Sequence, residues 1–476
     1  MVYKKSWLPK YEHIPEAAWG FPTCMYTMSL EAWRRGLEVT FNLRRSRSLM
    51  TGISYTVSDG ENIHTFKGSR GSETKREAIN VCVNKAHTLQ LLRESNIPVP
   101  EGQDFKSGTS MKTLLDYSNE LGYPLVLKPG TEGRGGGFGV VTNIQSEEEM
   151  EAYIKRLKRI APNSRILIER FFVGEDYRIN VFNGKVIGAF HRKALSVLGD
   201  GRHSLVELLE LKNEERRTSP FLRNSNITMD KAMREYMKER DFTPDYIPQE
   251  GEEVTLRRNG EFFGQRDAIN VIDTLPEKML RIAEEATLAI PGLSIGGVDM
   301  LINLDSNECV INEINSLPQI SNHIFPMQGE AIDIPRIIMD HYFPETKYEK
   351  NENDQYYYDY KPILENFRSG AMSKMTLKKT PTREQLKSQL KVIGNNFPNR
   401  YFTRMIQRAG SHSINGHVEK VNDNELHFII SAGRIGMNKF KQFIQNPGIR
   451  TVSIESVTED IYHGPITLGF FVKSKS

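Results

Sequence analysis

The chain has 476 residues, of which 38% are hydrophobic and 26% charged, enough apolar material for about three folded domains. A formal net charge of +3 excludes a general electrostatic affinity for nucleic acid or an anionic membrane. Cys24, Cys82 and Cys309 lie too far apart for a disulfide framework or a zinc knot; with no apolar leader or membrane span, a cytoplasmic protein is expected.

Residues 1–80 read as an α/β unit: an amphipathic stretch at Ser29–Arg35, strand runs at Val39–Leu43 and Ile53–Val57, then a turn at Ser58–Glu61. Helical periodicity begins near Glu77 and runs through Leu92, where Asn96 and Pro98 stop it. From about residue 98 to 345, strands alternate with long helices such as Glu147–Ile160 and Pro276–Ala289, an α/β or α+β pattern. Residues 346–385 open with a polar, tyrosine-rich stretch and read as a linker. The last unit, 386–476, runs strand, helix, strand, strand, helix, strand, the order of a ferredoxin-like sandwich.

The segment Leu125–Val140 carries the strongest chemical signal. An apolar run delivers Lys128, and a loop with Gly133, Gly135, Gly136, Gly137 and Gly139 follows at once. Such a backbone approaches a ligand closely, and successive exposed N–H groups form an anion nest suited to phosphate. A flexible glycine hairpin is the competing reading. Downstream, a buried strand from Arg165 meets Glu169–Val173, a short linker whose backbone suits an adenine edge while Phe171 or Phe172 packs on the ring; two core phenylalanines explain it equally. Asp176, Arg178 and Arg192 put charge on half-buried strands, where charge is usually paired. They suit phosphate binding or a plain Asp176–Arg178 ion pair. Arg257 and Asn259 follow another strand start and suit a transferring phosphoryl group. The lysine- and arginine-rich region Thr218–Thr243 reads as a solvated helix face, or as a contact for an anionic substrate.

Gly297–Asn315 reads as a hairpin around the polar turn Asp305–Glu308. Glu313 and Asn315 share one face by strand alternation. An odd-numbered loop brings Asp299 onto that face, whereas a two-residue loop sets it against Ile314. Two carboxylates and an amide oxygen, completed by phosphates and water, suit Mg²⁺. An exposed polar hairpin face is the alternative.

In this order the pieces resemble an ATP-grasp carboxylate–amine ligase, nearest to the ATP-grasp domain of cyanophycin synthetase and bifunctional glutathione synthetases. The resemblance covers roughly residues 80–345. It rests on Asn84–Leu92, Ile97–Pro100, Pro124–Pro129, the glycine loop, Gly174–Arg192, Val197–Leu208, Gly296–Asp299 and Asn312–Asn315. It implies an α+β fold with two subdomains clamping ATP over 81–345. It also implies that Lys85, Lys128 and the loop Gly133–Gly137, including Arg134, contact ATP phosphates. Glu169, Arg170, Phe171, Phe172 and Val173 would form the adenine hinge, with Asp176 near the nucleotide and Arg178 supporting the pocket or the acceptor carboxylate. Arg192 and Arg257 would steady phosphoryl and acyl-phosphate oxygens, and Asp299, Glu313 and Asn315 would bind Mg²⁺, or Mn²⁺ in its place.

The implied reaction joins an amino-acid or peptide carboxylate to an amine through an acyl phosphate. No nucleic-acid or membrane partner is implied, and the resembled families commonly form dimers or tetramers. Where those families have paired glycines and an aspartate beyond Arg257, this chain has Gly264, Gln265 and Asn270, so acceptor identity does not transfer. The last unit resembles acylphosphatase around Asn399–Thr403, with Arg400 as the phosphate-binding arginine, and around Gly416–Asp423. Lys420 stands where that family has its catalytic asparagine, which points to a degenerate binding module. A nucleotide-responsive binding module and an acyl-phosphate hydrolase are the alternatives to the ligase.

Overall fold

The computed structural model describes residues 6–44, 49–130, 139–257, 266–381 and 384–473. They form two compact units. The first takes in Phe66–Ile338 with short pieces from near the N-terminus; the second combines Tyr26–Thr65 with the chain from Met339 onward and Pro9–Ala18.

Among the described residues the first unit holds two larger antiparallel sheets and a two-stranded pair. One has four strands in the order Gly102–Phe105, Ile166–Arg170, Leu125–Pro129, Val141–Ile144. Helices Met111–Leu121 and Glu147–Ile160 pack Leu114, Met150, Ile154 and Leu157 on Leu125, Leu127 and Ile168. Ser110 and Ser146 cap these helices by accepting from Thr113 N–H and Glu149 N–H. Glu147–Glu149 in the first turn and Lys158 and Arg159 in the last turn of the second helix complement its dipole.

The other sheet has five strands in the order Asp267–Asn270, Lys185–Lys193, Glu175–Phe182, Ile295–Asn303, Glu308–Asn315. Alternation sorts its side chains. Tyr177, Ile179, Val181, Val298, Met300, Ile302, Ile311 and Ile314 join Met279, Ala283 and Ala286 of helix Glu277–Leu288 in one core. Each fully buried aliphatic side chain there contributes about 1.5–3 kcal/mol. The opposite face takes the charged residues and carries the candidate site.

The single helix expected from Glu77 to Leu92 is two helices, Arg76–Val83 and Lys85–Glu94. Asn84 breaks them: it has extended backbone and its side chain accepts from His87 N–H, so it caps the second helix. Lys85 therefore stands on a helix's first residue. Between Ser196–Leu198 and Glu253–Thr255, which pair with each other, lie helices Leu205–Arg217 and Lys231–Lys238. The latter buries Met233, Tyr236 and Met237 and leaves its charges outside, the solvated-face arrangement.

In the second unit, Tyr356, Tyr357, Tyr358 and Tyr360 are buried, so the stretch read as a linker is core. Their rings pack with Tyr26, Trp33 and Phe41, and their polar atoms find partners. The Tyr358 hydroxyl meets Ser29 Oγ at 2.6 Å, and Tyr26 donates to the Tyr358 carbonyl at 2.9 Å. Tyrosine counted as polar in composition behaves here as an aromatic hydrophobe with a satisfied tip.

The C-terminal sheet runs Ser453–Ile461, Leu386–Asn395, Glu425–Ala432, Asn415–Asn422, Phe470–Lys473. Helices Asn399–Ser411 and Arg434–Gln445 supply Tyr401, Met405, Met437, Phe440 and Ile444 to its core. No helix among the described residues is long and apolar enough to cross a membrane.

Candidate active site

The charged face is organised by a bulge. Asn303 pairs with Glu308, leaving a four-residue loop, and by that even count alone Asp299 would face Asn312. The register shifts between Asp299 and Met300, which pairs with Ile311; Asn312 is the extra residue, and Asp299 stands directly across from Glu313. The expected face-sharing thus arises from the bulge, not from an odd loop. Gly297 pairs with Asn315 on the same face.

Across the next strand, Asp299 pairs with Arg178, so Glu313, Asp299 and Arg178 form a row over three strands. Arg178 grips both Asp299 oxygens, with Nη2 at 2.8 Å from Oδ2 and Nε closing on Oδ1. Arg192 reaches Asp299 Oδ1 at 2.8 Å and Asp176 at 2.7 Å, and Arg266 closes on the other Asp176 oxygen. Asp176 therefore pairs with Arg192 and Arg266, and the Asp176–Arg178 ion pair does not form. Burial pushes the Asp299 carboxyl up, but the Arg178 and Arg192 guanidinium groups outweigh it and hold it below the ordinary carboxylate range. Turned to satisfy both of its ends, the Asn315 amide donates to Glu313 Oε1 at 3.0 Å and accepts from Arg178 Nη2 at 3.3 Å.

Two lysines reach the same end of the hairpin. Lys85 pairs with Glu313 at 2.8 Å. Lys128, at the end of its strand in the four-stranded sheet, pairs with the buried Glu169 at 2.5 Å and donates to Asn312 Oδ1 at 2.8 Å. The bulged residue thus links the two sheets of the unit. Among the described residues, Lys85, Arg178, Arg192 and Arg266 outnumber Asp176, Asp299 and Glu313 on this face, an excess that favours a polyanion.

The remaining candidates are placed as follows. Arg170 is exposed and pairs with Glu101 at 2.9 Å. Phe171 gives its N–H to the Pro124 carbonyl at 3.0 Å, Phe172 is half-buried, and Val173 is exposed with its carbonyl accepting from Asn303 at 3.2 Å. Arg257 is buried and bonds Asp230 at 2.6 Å, on the side of helices Leu205–Arg217 and Lys231–Lys238. Gly133, Arg134, Gly135, Gly136 and Gly137 lie outside the described residues, as do Asn259, Gly264 and Gln265.

Among the described residues no three His, Cys, Asp or Glu side chains converge to hold a metal. The donor set is two carboxylates and one amide, all hard oxygen ligands on one face. It fits an ion that keeps water and phosphate in its shell; the same carboxylates pair with Lys85, Arg178 and Arg192.

Sequence reasoning missed Asn312, Arg266 and His323. Cys309, Ile311 and Ile314 all face the core, so the apolar phase slips by one residue at Asn312, the readable mark of the bulge. His323 is fully buried against Gly188, where a Cβ would stand 2.7 Å from its Nδ1, and against Phe190. Among the described residues neither its ring nitrogens nor the side chain of the buried Asn180, the register partner of Gly188, has a hydrogen-bond partner. Burial and the nearby Arg178 charge push the imidazole down to about 3.

Residues 84–183 match the family described as carbamoyl-phosphate synthase L chain, ATP binding domain. The chain is 29% identical over 276 residues to a cyanophycin synthetase of Crocosphaera subtropica, covering 56% of this chain and 31% of that one. It is 28% identical over 319 residues to a glutathione biosynthesis bifunctional protein of Clostridium perfringens, covering 65% and 40%. The chain therefore spans well under half the length of these relatives. A bifunctional glutathione synthetase structure from Pasteurella multocida superposes with a TM-score of 0.50 at 21% identity, over 66% of this chain and 43% of that one. The fold here is of the same mixed α+β type as that structure.

Proposed function

We propose that this protein is an ATP-dependent ligase of the ATP-grasp kind, joining an amino-acid or peptide carboxylate to an amine with Mg²⁺ as cofactor. The observation that carries the reading is the row Glu313–Asp299–Arg178, tied through Asn312 to Lys128. It sets hard oxygen donors and a bidentate guanidinium on one sheet face, with Lys85 reaching Glu313 from a helix and Lys128 reaching Asn312 from the other sheet.

In this reading Lys128 and Lys85 take phosphate oxygens, the first sheet's hinge from Glu169 to Val173 takes the adenine, and the loop Gly133–Gly137 covers the phosphates. Mg²⁺, held by Asp299, Glu313 and Asn315, would neutralise the phosphate oxygens. Arg178 and Arg192 stabilise the charge that grows as a carboxylate oxygen attacks the γ-phosphorus and ADP departs. The amine nitrogen then attacks the acyl carbon, and phosphate leaves. The carboxylate alone is a poor electrophile, so what these residues contribute is position and charge. Arg257 joins the phosphoryl-facing arginines in this scheme, from its seat on Asp230.

Residues 386–476 are proposed as an acylphosphatase-like, ferredoxin-like module without hydrolase activity. Arg400 bonds Thr451 at 2.7 Å, and Lys420, a cation where a catalytic amide would stand, bonds Asp423 at 2.6 Å.

The test is ADP release over pairs of amino acids and dipeptides, with mass detection of product. The reading expects ADP release that needs both a carboxylate and an amine, with one amide formed per ADP. Tight ATP binding with no product across the whole screen contradicts it.

A further inference from the structure

Lys67 and Arg70 flank a two-residue turn and exchange both backbone hydrogen bonds, at 2.9 and 3.0 Å, so they face each other as an antiparallel pair. Gly68 at φ +54° makes the tight reversal. Two cations directly opposite repel, an arrangement strands avoid. Among the described residues neither side chain pairs with a carboxylate, Arg70 bonding Ser316 instead, and both are half-buried. Burial lowers the pKa of both; the Arg70 cation adds to this at Lys67, and at Arg70 the Arg76 cation adds to it while Cys82 opposes it.

The turn is docked beside the candidate site. Ser69 donates to the Pro318 carbonyl at 2.6 Å, and Arg70 Nη1 donates to Ser316 Oγ at 3.1 Å. A Cβ on Gly68 would stand 3.3 Å from Leu317. Ser316 follows Asn315 directly, and Cys82 senses both the Arg70 cation and the Glu313 carboxylate. Asn312, which holds Lys128, lies four residues upstream, roughly 13 Å away at about 3.3 Å per residue. The phosphate-type lysine and the Arg70 pair therefore stand at opposite ends of the Glu313–Asn315 segment.

We infer that Lys67 and Arg70 form an anion subsite for a substrate carboxylate other than the one activated, the free carboxylate of an amino acid or peptide. Its side of the hairpin is the one away from Lys128, which separates this role from phosphate binding. The docked, repelling pair is a cost of folding that a bound carboxylate offsets. The inference rests on the ligase reading for the identity of its ligand.

The experiment compares Arg70→Gln with the wild type on acceptors and donors offered as free acids and as C-terminal amides. In the wild type, amidation of one partner should raise KM at least about tenfold. Arg70→Gln should raise KM for that free acid similarly, abolish the acid-over-amide preference, and leave KM for ATP unchanged. An unchanged preference, or a rise in KM for ATP instead, overturns the subsite while leaving the ligase intact. Wild-type failure to turn over any pair contradicts the ligase reading, and the pair is then judged without substrate. Lys67→Gln should raise the Tm of the ligand-free protein by about 1–2 °C at low salt, an advantage that 1 M NaCl removes. A Tm lowered by several degrees overturns the repelling pair.

Discussion

Asp299 faces Glu313 because Asn312 is bulged out of the ladder beside it. That one unpaired residue sets the two carboxylates opposite each other and turns its own amide to Lys128 at 2.8 Å. The catalytic reading makes Glu313 the most informative residue to change, since it is half-buried and its loss leaves no deeply buried charge unpaired. Glu313→Gln should lower turnover at least about a hundredfold with Tm within about 2 °C of wild type. Steady-state ADP release and thermal denaturation together check this; full activity would contradict the metal assignment.

Lys128 couples function to stability. Its ammonium is the partner of Glu169, which is 1% exposed. Lys128→Met should raise KM for ATP and also strand a buried carboxylate, at about 3–5 kcal/mol. Adding Glu169→Gln should recover most of the stability and none of the ATP affinity. Denaturation and ATP titration of the single and double variants give the two readouts separately.

His323 predicts an acid limb of stability. Its folded pKa of about 3 lies below the usual value of 6.5, so below pH 6.5 the unfolded chain binds the proton first. Its contribution is whole above pH 6.5 and falls away as pH drops from 6.5 towards 3, by up to about 1.4 kcal/mol per pH unit. His323→Leu should flatten the stability profile over that window. An unchanged slope in chemical denaturation between pH 7 and 5 would show that the imidazole titrates freely.

The tyrosine segment makes a packing prediction. Tyr358→Ala should destabilise the second unit by about 3–5 kcal/mol, whereas Lys350→Ala, at an exposed position, should cost less than about 0.5 kcal/mol. Equal, small effects at both positions would mean that the segment is a connector after all.

What the sequence made legible follows from local periodicity. The strand and helix order of the last unit, the Gly297–Asn315 hairpin and the charged face of Asp176, Arg178 and Arg192 are all written in alternation. Less legible were features set by partners distant in the chain. Arg178 finds Asp299, 121 residues away, instead of its neighbour Asp176. Asp176 takes Arg266, 90 residues away and just ahead of the strand Asp267–Asn270, which sequence spacing does not bring near. The break at Asn84 was hidden because apolar positions continue in phase across it. Tyr356–Tyr360 misled because a tyrosine reads as polar until another part of the fold covers its ring. Loop parity failed as a guide to the hairpin because a bulge changes the count at no composition cost.

The sharpest trial of the account is the fate of oxygen-18 from a labelled substrate carboxylate during turnover. Phosphorylation of the carboxyl group followed by amine attack sends one labelled oxygen into inorganic phosphate, with ADP as the nucleotide product. Unlabelled phosphate, or label recovered in AMP, would mean that the carboxylate never attacks the γ-phosphorus.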